Sequence, residues 1–507
     1  MNKKKIYFYG PNDVIPAQKF KHIFTFFYNT VPLFLDSHIR HTNPEFHSQI
    51  EWTALVLLKR TQDQLVNEII DQKIDFLCVS LYIWNVNEAL ECLRGIKKRI
   101  PSSVTIIAGG PSVEIFRDRE FLHKNPDIDF AIYTQGEQAF ADVLEHKING
   151  KILTTLNTKN LAWIDRDTNK LKISNFEFVR NSDGSPYLEA QDLLLRMRDD
   201  PAHQGFEMHL PYETGRGCPY KCSFCDWTSG LTHKVSKREF DYEEELDFLG
   251  RNGFTFIQMS DANFGIQKRD IEIARIMARL KKERGYNFRI HGNNFNKLKK
   301  DVVFEIVDIM MDAQILLSPK FALQDIDPVV LKNIDRPDVP WPEHKAYIQA
   351  LEKKYPRVSI RLELIFGMPG QTIETWENTL VEVYPYELMI YPMMVLTNSP
   401  IGYDTEYREK MGIKTIHTNL STGSSYLVEI VHETYSFNIN DYCYFLLLSL
   451  ALKHDRIRLF PVRRAIFKKI KSHEDFNSTI EHIKNCLLNK TCELIVPQVN
   501  NFIEKLP

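Results

Sequence analysis

The 507-residue sequence predicts an α/β protein in three parts: a doubly wound sheet, a full or partial βα barrel, and a largely helical remainder. Three observations predict it. Short β-rich runs alternate with helical patterns over residues 1–150, longer βα units repeat from 211 to about 400, and residues 401–507 read mostly as helix. A chain of this length exceeds one ordinary core, so two or three domains are expected.

In the first part, "KKIYFYG" (4–10), "DFLCVSLYIW" (75–84), "VTIIAGG" (104–110) and "DFAIYTQG" (129–136) read as buried parallel strands. "NEALECLRGIKKRI" and "EQAFADVLEHKI" supply helices. A doubly wound sheet places its ligand crevice at the carboxyl ends of the strands. The last three strands end there in small or polar residues: Ser80, then Gly109-Gly110-Pro111, then Gly136-Glu137. No GxGxxG follows the first strand, so a dinucleotide is not signalled.

Residues 151–210 read as a connector with a hairpin around Asp167 and Asn169. In 211–400 the strand candidates are "FTFIQMSD" (254–261), "NFRIHGN" (287–293), "AQILLSPKFA" (313–322), "VSIRLELIFG" (358–367) and "ELMIYPMMV" (387–395). Repeated βα units of this length fit a barrel, whose chemistry collects at the C-terminal ends of its strands. Residues 401–507 are expected to form a helical C-terminal domain.

Charge is nearly balanced, 64 basic against 66 acidic residues, which gives no overall pull toward nucleic acid or an anionic membrane. The apolar run behind "MNKKK" is only about five residues, too short for a secretory signal. "CYFLLLSLAL" (443–452) is about half a bilayer span. A soluble cytoplasmic protein is expected. Eight cysteines in so long a chain are no disulfide framework, and Cys78, Cys92, Cys443, Cys486 and Cys492 sit among apolar neighbours as buried cysteines do.

The other three lie in "GCPYKCSFCDW" (217–227): Cys218, Cys222 and Cys225. A closed zinc site needs a fourth ligand, normally from a second cysteine pair, and none follows; His233 is the nearest candidate. A cubane iron-sulfur cluster held by three cysteines instead leaves one iron open to a substrate. CxxxCxxC at the start of a βα barrel resembles the radical S-adenosylmethionine (SAM) superfamily. The resemblance implies a 4Fe-4S cluster on the three cysteines, SAM on the open iron, and Phe224 near the adenine. "ELIFGMPGQT" (363–372), with Gly367, resembles the family's glycine-rich turn beside the adenine. "SDANFG" (260–265) stands where many members hold the SAM ammonium but departs from their pattern, so Asp261 or Asn263 could take that role. Gln324 is a further SAM-contact candidate. Each of these three polar residues reads equally as a turn cap or a satisfied polar group.

A doubly wound (Rossmann-like) domain ahead of such a barrel resembles the cobalamin-binding subfamily, through "SLYIWN" (80–85), "AGGPSVE" (108–114), "QGEQAF" (135–140) and "SPYL" (185–188). The resemblance implies that Ser80, Trp84, Asn85, Gly109, Gly110, Pro111, Gly136 and Glu137 surround cobalamin. Glycines there let a macrocycle approach backbone amides, although in any flavodoxin-like domain they also serve tight turns. The loop that supplies an axial histidine in some cobalamin proteins is absent. "DSHIRHT" begins with Asp-x-His but has no glycine, and His38 and His41 read as loop or surface residues. Trp84 or Trp227 could line the site, although either could equally fill an interface.

The resemblance implies reductive cleavage of SAM to a 5′-deoxyadenosyl radical, hydrogen abstraction from an unactivated carbon, and methyl transfer from methylcobalamin. It also implies an external electron donor such as flavodoxin or ferredoxin. The substrate would be a small molecule or a peptide; "MMVLTNSPIGYDTEYREKMGI" (393–413) resembles a post-barrel stretch in methylases of peptide natural products, a weak hint toward a ribosomal peptide. Three alternatives stay open: a cyclisation, ring contraction or other rearrangement with the same cofactors; a corrinoid- or iron-sensing protein without turnover; and a zinc-stabilised scaffold. The basic stretch 452–471, eight Lys or Arg against one Asp, reads as a solvated helix face or as a dock for an acidic substrate.

Overall fold

The computed structural model describes every residue except Met1, 13–14, 17–23, 116–117, 179–183, 228–232, 292–294, 296, 419–427, 459, 461 and Pro507. The chain forms two compact units. The first contains Met1–Pro219, Trp227–Asn293 and Asp308–Ile315; the second contains Tyr220–Asp226, Asn294–Val307 and Leu316–Pro507.

In the first unit, seven strands form one sheet in the order Ile50–Val56, Lys4–Tyr9, Phe76–Ser80, Thr105–Gly109, Phe130–Ile132, Leu161–Asp165, Lys170–Ile173. The first five are mutually parallel, and the last two add antiparallel. The four sequence-predicted strands are all present. The hairpin around Asp167 and Asn169 also forms, and it extends the sheet. Sequence reading missed the edge strand "IEWTALV", where buried Trp52 alternates with exposed Glu51. Tyr7, Leu77, Ile106, Ala108 and Ala131 are fully buried at the centre of this core. The helix Gln62–Gln72 packs Leu65, Val66 and Ile69 on it and starts at a capping box, with Thr61 accepting from the Gln64 amide.

A second sheet in the same unit runs Arg289–His291, Phe256–Met259, Phe206–Tyr212, Phe24–Phe27, Ile15–Pro16, parallel except at its last pair. Its central strand was read as part of the connector. Phe206, Met208, Leu210 and Tyr212 alternate with Glu207, His209 and Pro211, which is the period-2 signal of a strand interrupted by polar residues. The end of the "NFRIHGN" candidate, residues 292–293, lies outside the described residues.

The second unit contains three parallel strands, Lys320–Gln324, Arg361–Phe366 and Glu387–Pro392. The middle strand buries Leu362, Leu364 and Phe366 on one face. The candidate at 313–322 begins only at Lys320. The helix Lys300–Asp312 ends just before it, and Gln314 takes the left-handed conformation (φ 54°), which breaks an extended run. The C-terminal part is helical except for the antiparallel pair Lys414–Thr418 and Val428–Glu433. "CYFLLLSLAL" lies in the core helix Ile439–Ala451, capped by Asn438. Among the described residues no helix is long and apolar enough to cross a membrane.

Candidate functional site

The three loops at the carboxyl ends of Phe76–Ser80, Thr105–Gly109 and Phe130–Ile132 are each built by specific backbone demands. Asn85 is buried and closes the first: its carbonyl accepts from the Tyr82 amide at 2.8 Å, and its Nδ2 donates to the carbonyls of Pro11 and Ser80. Trp84 stacks on Tyr82, centroids 4.5 Å apart. Ser80 is buried at the strand end. The second loop locks onto the first: Leu81 donates to the Gly109 carbonyl at 2.7 Å, and Ser112, just after Pro111, donates back to the Leu81 carbonyl. Gly110, at φ +117°, has room for no side chain, since a Cβ would stand 2.4 Å from the Leu81 oxygen.

In the third loop Thr134 holds φ +62°, a strained choice for a β-branched residue. Gly136 precedes the helix Glu137–Asn149, and a Cβ on it would meet the Ile132 side chain at 2.9 Å. Two buried polar atoms here, Thr134 Oγ1 and Glu137 Oε2, have no hydrogen-bond partner. Unpaired buried acceptors are costly, so such positions mark a place for an incoming donor. Glycine-lined loops with two open oxygens fit a corrin, whose edge carries amide N–H groups.

His38 departs from expectation. It lies in the helix Val31–Thr42, is buried, and sets Nε2 against Gln138 Oε1 at 3.1 Å. "VPLFLDSHIRHT" forms a helix buried over most of its circumference, so Asp36, Ser37 and His38 are enclosed along with Leu35 and Ile39. His41 is exposed, as expected.

The cysteine loop begins at the end of Phe206–Tyr212. Gly215–Arg216 pairs with Ser236–Lys237, and Gly217 turns at φ +89°, where a Cβ would lie 2.0 Å from the Lys234 oxygen. Asn263 Nδ2 donates to Cys218 Sγ at 3.0 Å. Asp261 is committed to shaping the loop: it accepts from the Thr214 amide (2.6 Å), the Thr214 hydroxyl (2.5 Å) and the Gly215 amide (3.1 Å). In the second unit, buried Cys222 accepts from Lys297 Nζ at 3.1 Å. Ser223 is pinned by the Ile334 carbonyl, the Tyr407 hydroxyl and the Ile401 amide. Cys225 donates its amide to the Cys222 carbonyl, Phe224 is half-buried, and Trp227 is 47% exposed.

All eight cysteines are outside disulfides. Among the described residues no group of three or more His, Cys, Asp or Glu is assembled as a metal site. The chemistry of the loop still fits a cluster: three thiols at CxxxCxxC spacing, with N–H donors on Cys218 and Cys222 of the kind that tune cluster sulfurs.

Gln324 ends its strand at φ +67°, beside a register shift against Leu364. Strain of this kind gathers at functional positions. Gly367 is also left-handed (φ +87°), and a Cβ there would meet the Tyr442 ring at 3.1 Å. Gln371 braces this turn, accepting from the Gly367 and Met368 amides and donating to Asp325 Oδ2 at 2.6 Å. Asp325 is wholly buried, which holds its carboxyl above the ordinary range despite its hydrogen bonds from Gln371 and Thr379. "SPYL" serves the barrel strand: Tyr187 donates to the Pro211 carbonyl and accepts from the Glu213 amide.

Sequence reading missed Thr134, Lys297, Glu213 and Arg216. Arg216 stood in view two positions before Cys218, but its partners are distant in sequence. Its Nη1 meets Glu137 Oε1 at 2.5 Å and its Nε donates to Glu213 Oε1 at 2.6 Å. Burial raises the Glu137 pKa, but Arg216 outweighs it and holds the carboxyl below the usual range. Glu213, where burial dominates, is held above it.

Comparison with known proteins matches residues 51–144 to the B12 binding domain and 212–383 to the radical SAM superfamily. A cobalamin-dependent radical SAM methyltransferase, TokK of Streptomyces tokunonensis, is 30% identical over 68% of this chain and 50% of its own length. The 2-(S-pantetheinyl)-carbapenam-3-carboxylate methyltransferase of Streptantibioticus cattleyicolor is also 30% identical, with the same coverage. The chain thus spans about half the length of these curated relatives. The solved structure of OxsB, a cobalamin-dependent S-adenosylmethionine radical enzyme with aqua-cobalamin bound, shares the fold. It aligns at TM-score 0.66 and 13% identity, over 99% of this chain and 80% of that one.

Proposed function

Because the chain belongs to the cobalamin-dependent radical SAM family, we propose that it methylates an unactivated carbon of a natural-product or peptide substrate. The observation that carries this reading is the pairing of both domains in one chain whose 30%-identical relatives bear methyltransferase names. One of those names specifies a small carboxylated scaffold, so such compounds are the first substrates to try.

When bound, the cluster supplies the electron that cleaves SAM to the 5′-deoxyadenosyl radical, and cobalamin carries the methyl group. The chain binds and orients these groups and excludes water. In this reading Cys218, Cys222 and Cys225 hold the cluster. Phe224, Asn263, Gln324 and Gly367 line SAM, with Asp261 holding the loop that carries Cys218. Ser80, Trp84, Asn85, Gly109, Gly110, Pro111, Gly136 and Glu137 surround cobalamin. The working division is 1–150 for cobalamin, 151–210 as connector, 211–400 for the radical SAM barrel and 401–507 as C-terminal domain. A flavodoxin or ferredoxin would supply electrons in a reducing cytoplasm.

The test is anaerobic reconstitution with iron, sulfide and hydroxocobalamin, followed by mass spectrometry after addition of SAM, reductant and candidate scaffolds. Methylation predicts 5′-deoxyadenosine and S-adenosylhomocysteine in step with a product heavier by one methylene. 5′-Deoxyadenosine with a rearranged, unmethylated product would replace this reading with a rearrangement. No 5′-deoxyadenosine from a fully loaded protein would leave a binding role.

A further inference from the structure

Glu137 and Arg216 belong to different functional stretches of the first unit. Glu137 opens the helix behind the third cobalamin-side loop, within the B12-matched residues. Arg216 lies within the radical SAM match, two residues ahead of Cys218. The two side chains are 12% and 17% exposed and meet at 2.5 Å.

Neither end has slack. On the Arg216 side, pairing with Ser236 and the side-chain-intolerant turn at Gly217 run the backbone directly into Cys218. The guanidinium uses separate nitrogens for Glu137 and Glu213 and lies 5.0 Å from the Phe34 ring centroid, so a shift of the Glu137 carboxylate is passed on to the backbone that enters Cys218. On the Glu137 side, Gly136 lies against Ile132, and Thr134 adopts its strained conformation.

The Glu137 carboxylate therefore has two unlike oxygens. Oε1 is held by the arginine that leads into the cluster loop. Oε2 is buried with no partner, as is Thr134 Oγ1 on the same loop. A corrin edge offers the amide N–H donors that these atoms lack. Satisfying Oε2 would fix the carboxylate, and a fixed carboxylate would fix Arg216 and the segment entering Cys218.

We propose that the Glu137–Arg216 ion pair is a positioning element that couples the two cofactor loops, so that cobalamin and the iron-sulfur cluster load cooperatively. The inference rests on the family's two cofactors and is independent of whether the reaction is a methylation. Each cofactor alone is expected to bind without the pair, while the coupling between them requires it.

The experiment measures the dissociation constant of hydroxocobalamin by equilibrium dialysis, on full-length protein with and without a reconstituted cluster. In the native chain the cluster should tighten cobalamin by about tenfold, within the ordinary span of coupling between sites. Cobalamin should in turn slow iron loss to a chelator, read by the decay of cluster absorbance. Arg216→Met should bring the affinity ratio to about one while both cofactors still bind, and Arg216→Lys should restore part of it; Glu137→Gln also alters an oxygen that faces the corrin, so it should weaken cobalamin with and without the cluster alike and bring the ratio to about one. Circular dichroism checks that each variant is folded. If Arg216→Met does not fold, the near-isosteric Glu137→Gln decides the matter. An affinity ratio of one in the native chain, or a native ratio preserved in Glu137→Gln, overturns the proposal. None of these readouts requires turnover.

Discussion

Asp36 shows how far a single residue of this chain can be committed. Its carboxylate is fully buried and accepts from Arg40 Nε (2.5 Å), His47 Nε2 (2.8 Å) and Trp52 Nε1 (2.7 Å), tying the helix Val31–Thr42 to the edge strand. Burial raises its pKa, but His47 and Arg40 outweigh that and leave it below the ordinary 3.8. A depressed folded value means stability that is present above the unfolded pKa and lost as pH falls through the folded one. Asp36→Asn should therefore cost about 1–3 kcal/mol near neutral pH, because it weakens a buried acceptor shared by Arg40, His47 and Trp52, while Arg40 keeps its pair with Asp192. The deficit should shrink below about pH 4 in urea titrations; a pH-independent deficit would show that packing, not charge, is what was lost. Lys297 is a second such residue. Its donation to Cys222 stabilises electron density on that sulfur, so Lys297→Met should lower the cluster midpoint by about 60 mV, a factor of ten for one electron. An EPR-monitored redox titration checks it, and an unchanged midpoint would remove Lys297 from the cluster's surroundings.

At the scale of elements, glycines decide where loops can run. Gly110→Ala places a methyl against the backbone oxygen of Leu81 at a left-handed position, so the second cobalamin-side loop must move. Hydroxocobalamin binding should weaken by at least about tenfold, measured by dialysis; unchanged affinity would mean this loop does not contact the corrin. That loop was legible in the sequence because its signal is local: a β-rich run, then Gly109-Gly110-Pro111. The same holds for CxxxCxxC and for the turn at Gly367. What escaped was either diluted or remote. Phe206–Tyr212 alternates correctly but carries Glu207, His209 and Pro211, and Ile50–Val56 pairs on one edge only, so neither is as apolar as the parallel strands around it. Phe24–Phe27 joins a strand some 180 positions away, and Glu137 meets Arg216 across 79, separations at which no periodicity speaks. His38 reads as a loop or surface residue because nothing local signals that its helix is enclosed over most of its circumference, polar residues included.

Over the whole molecule, charge is the property with the widest consequence, and it bears on the stretch 452–471. Its eight basic residues look in sequence like a patch able to hold a polyanion. In the structure several are spent internally. Arg463 is 6% exposed with its guanidinium 3.4 Å from the Tyr384 ring centroid, Arg464 donates to Asn378, Lys471 pairs with Glu377 at 2.9 Å, and Arg456 donates to the Glu504 carbonyl. Cations held this way anchor the C-terminal helices to the helix Ile373–Glu382 and its surroundings, and they are unavailable for phosphates. The formal net charge of −2 adds no overall pull toward nucleic acid. Transfer RNA should accordingly bind no more tightly than about 10 μM at 150 mM salt, in the range of non-specific association, when followed by filter binding. Submicromolar retention that fell steeply with salt, and that Lys468→Glu combined with Lys469→Glu abolished, would make this stretch an RNA dock and move the expected substrate from small molecules to nucleic acid.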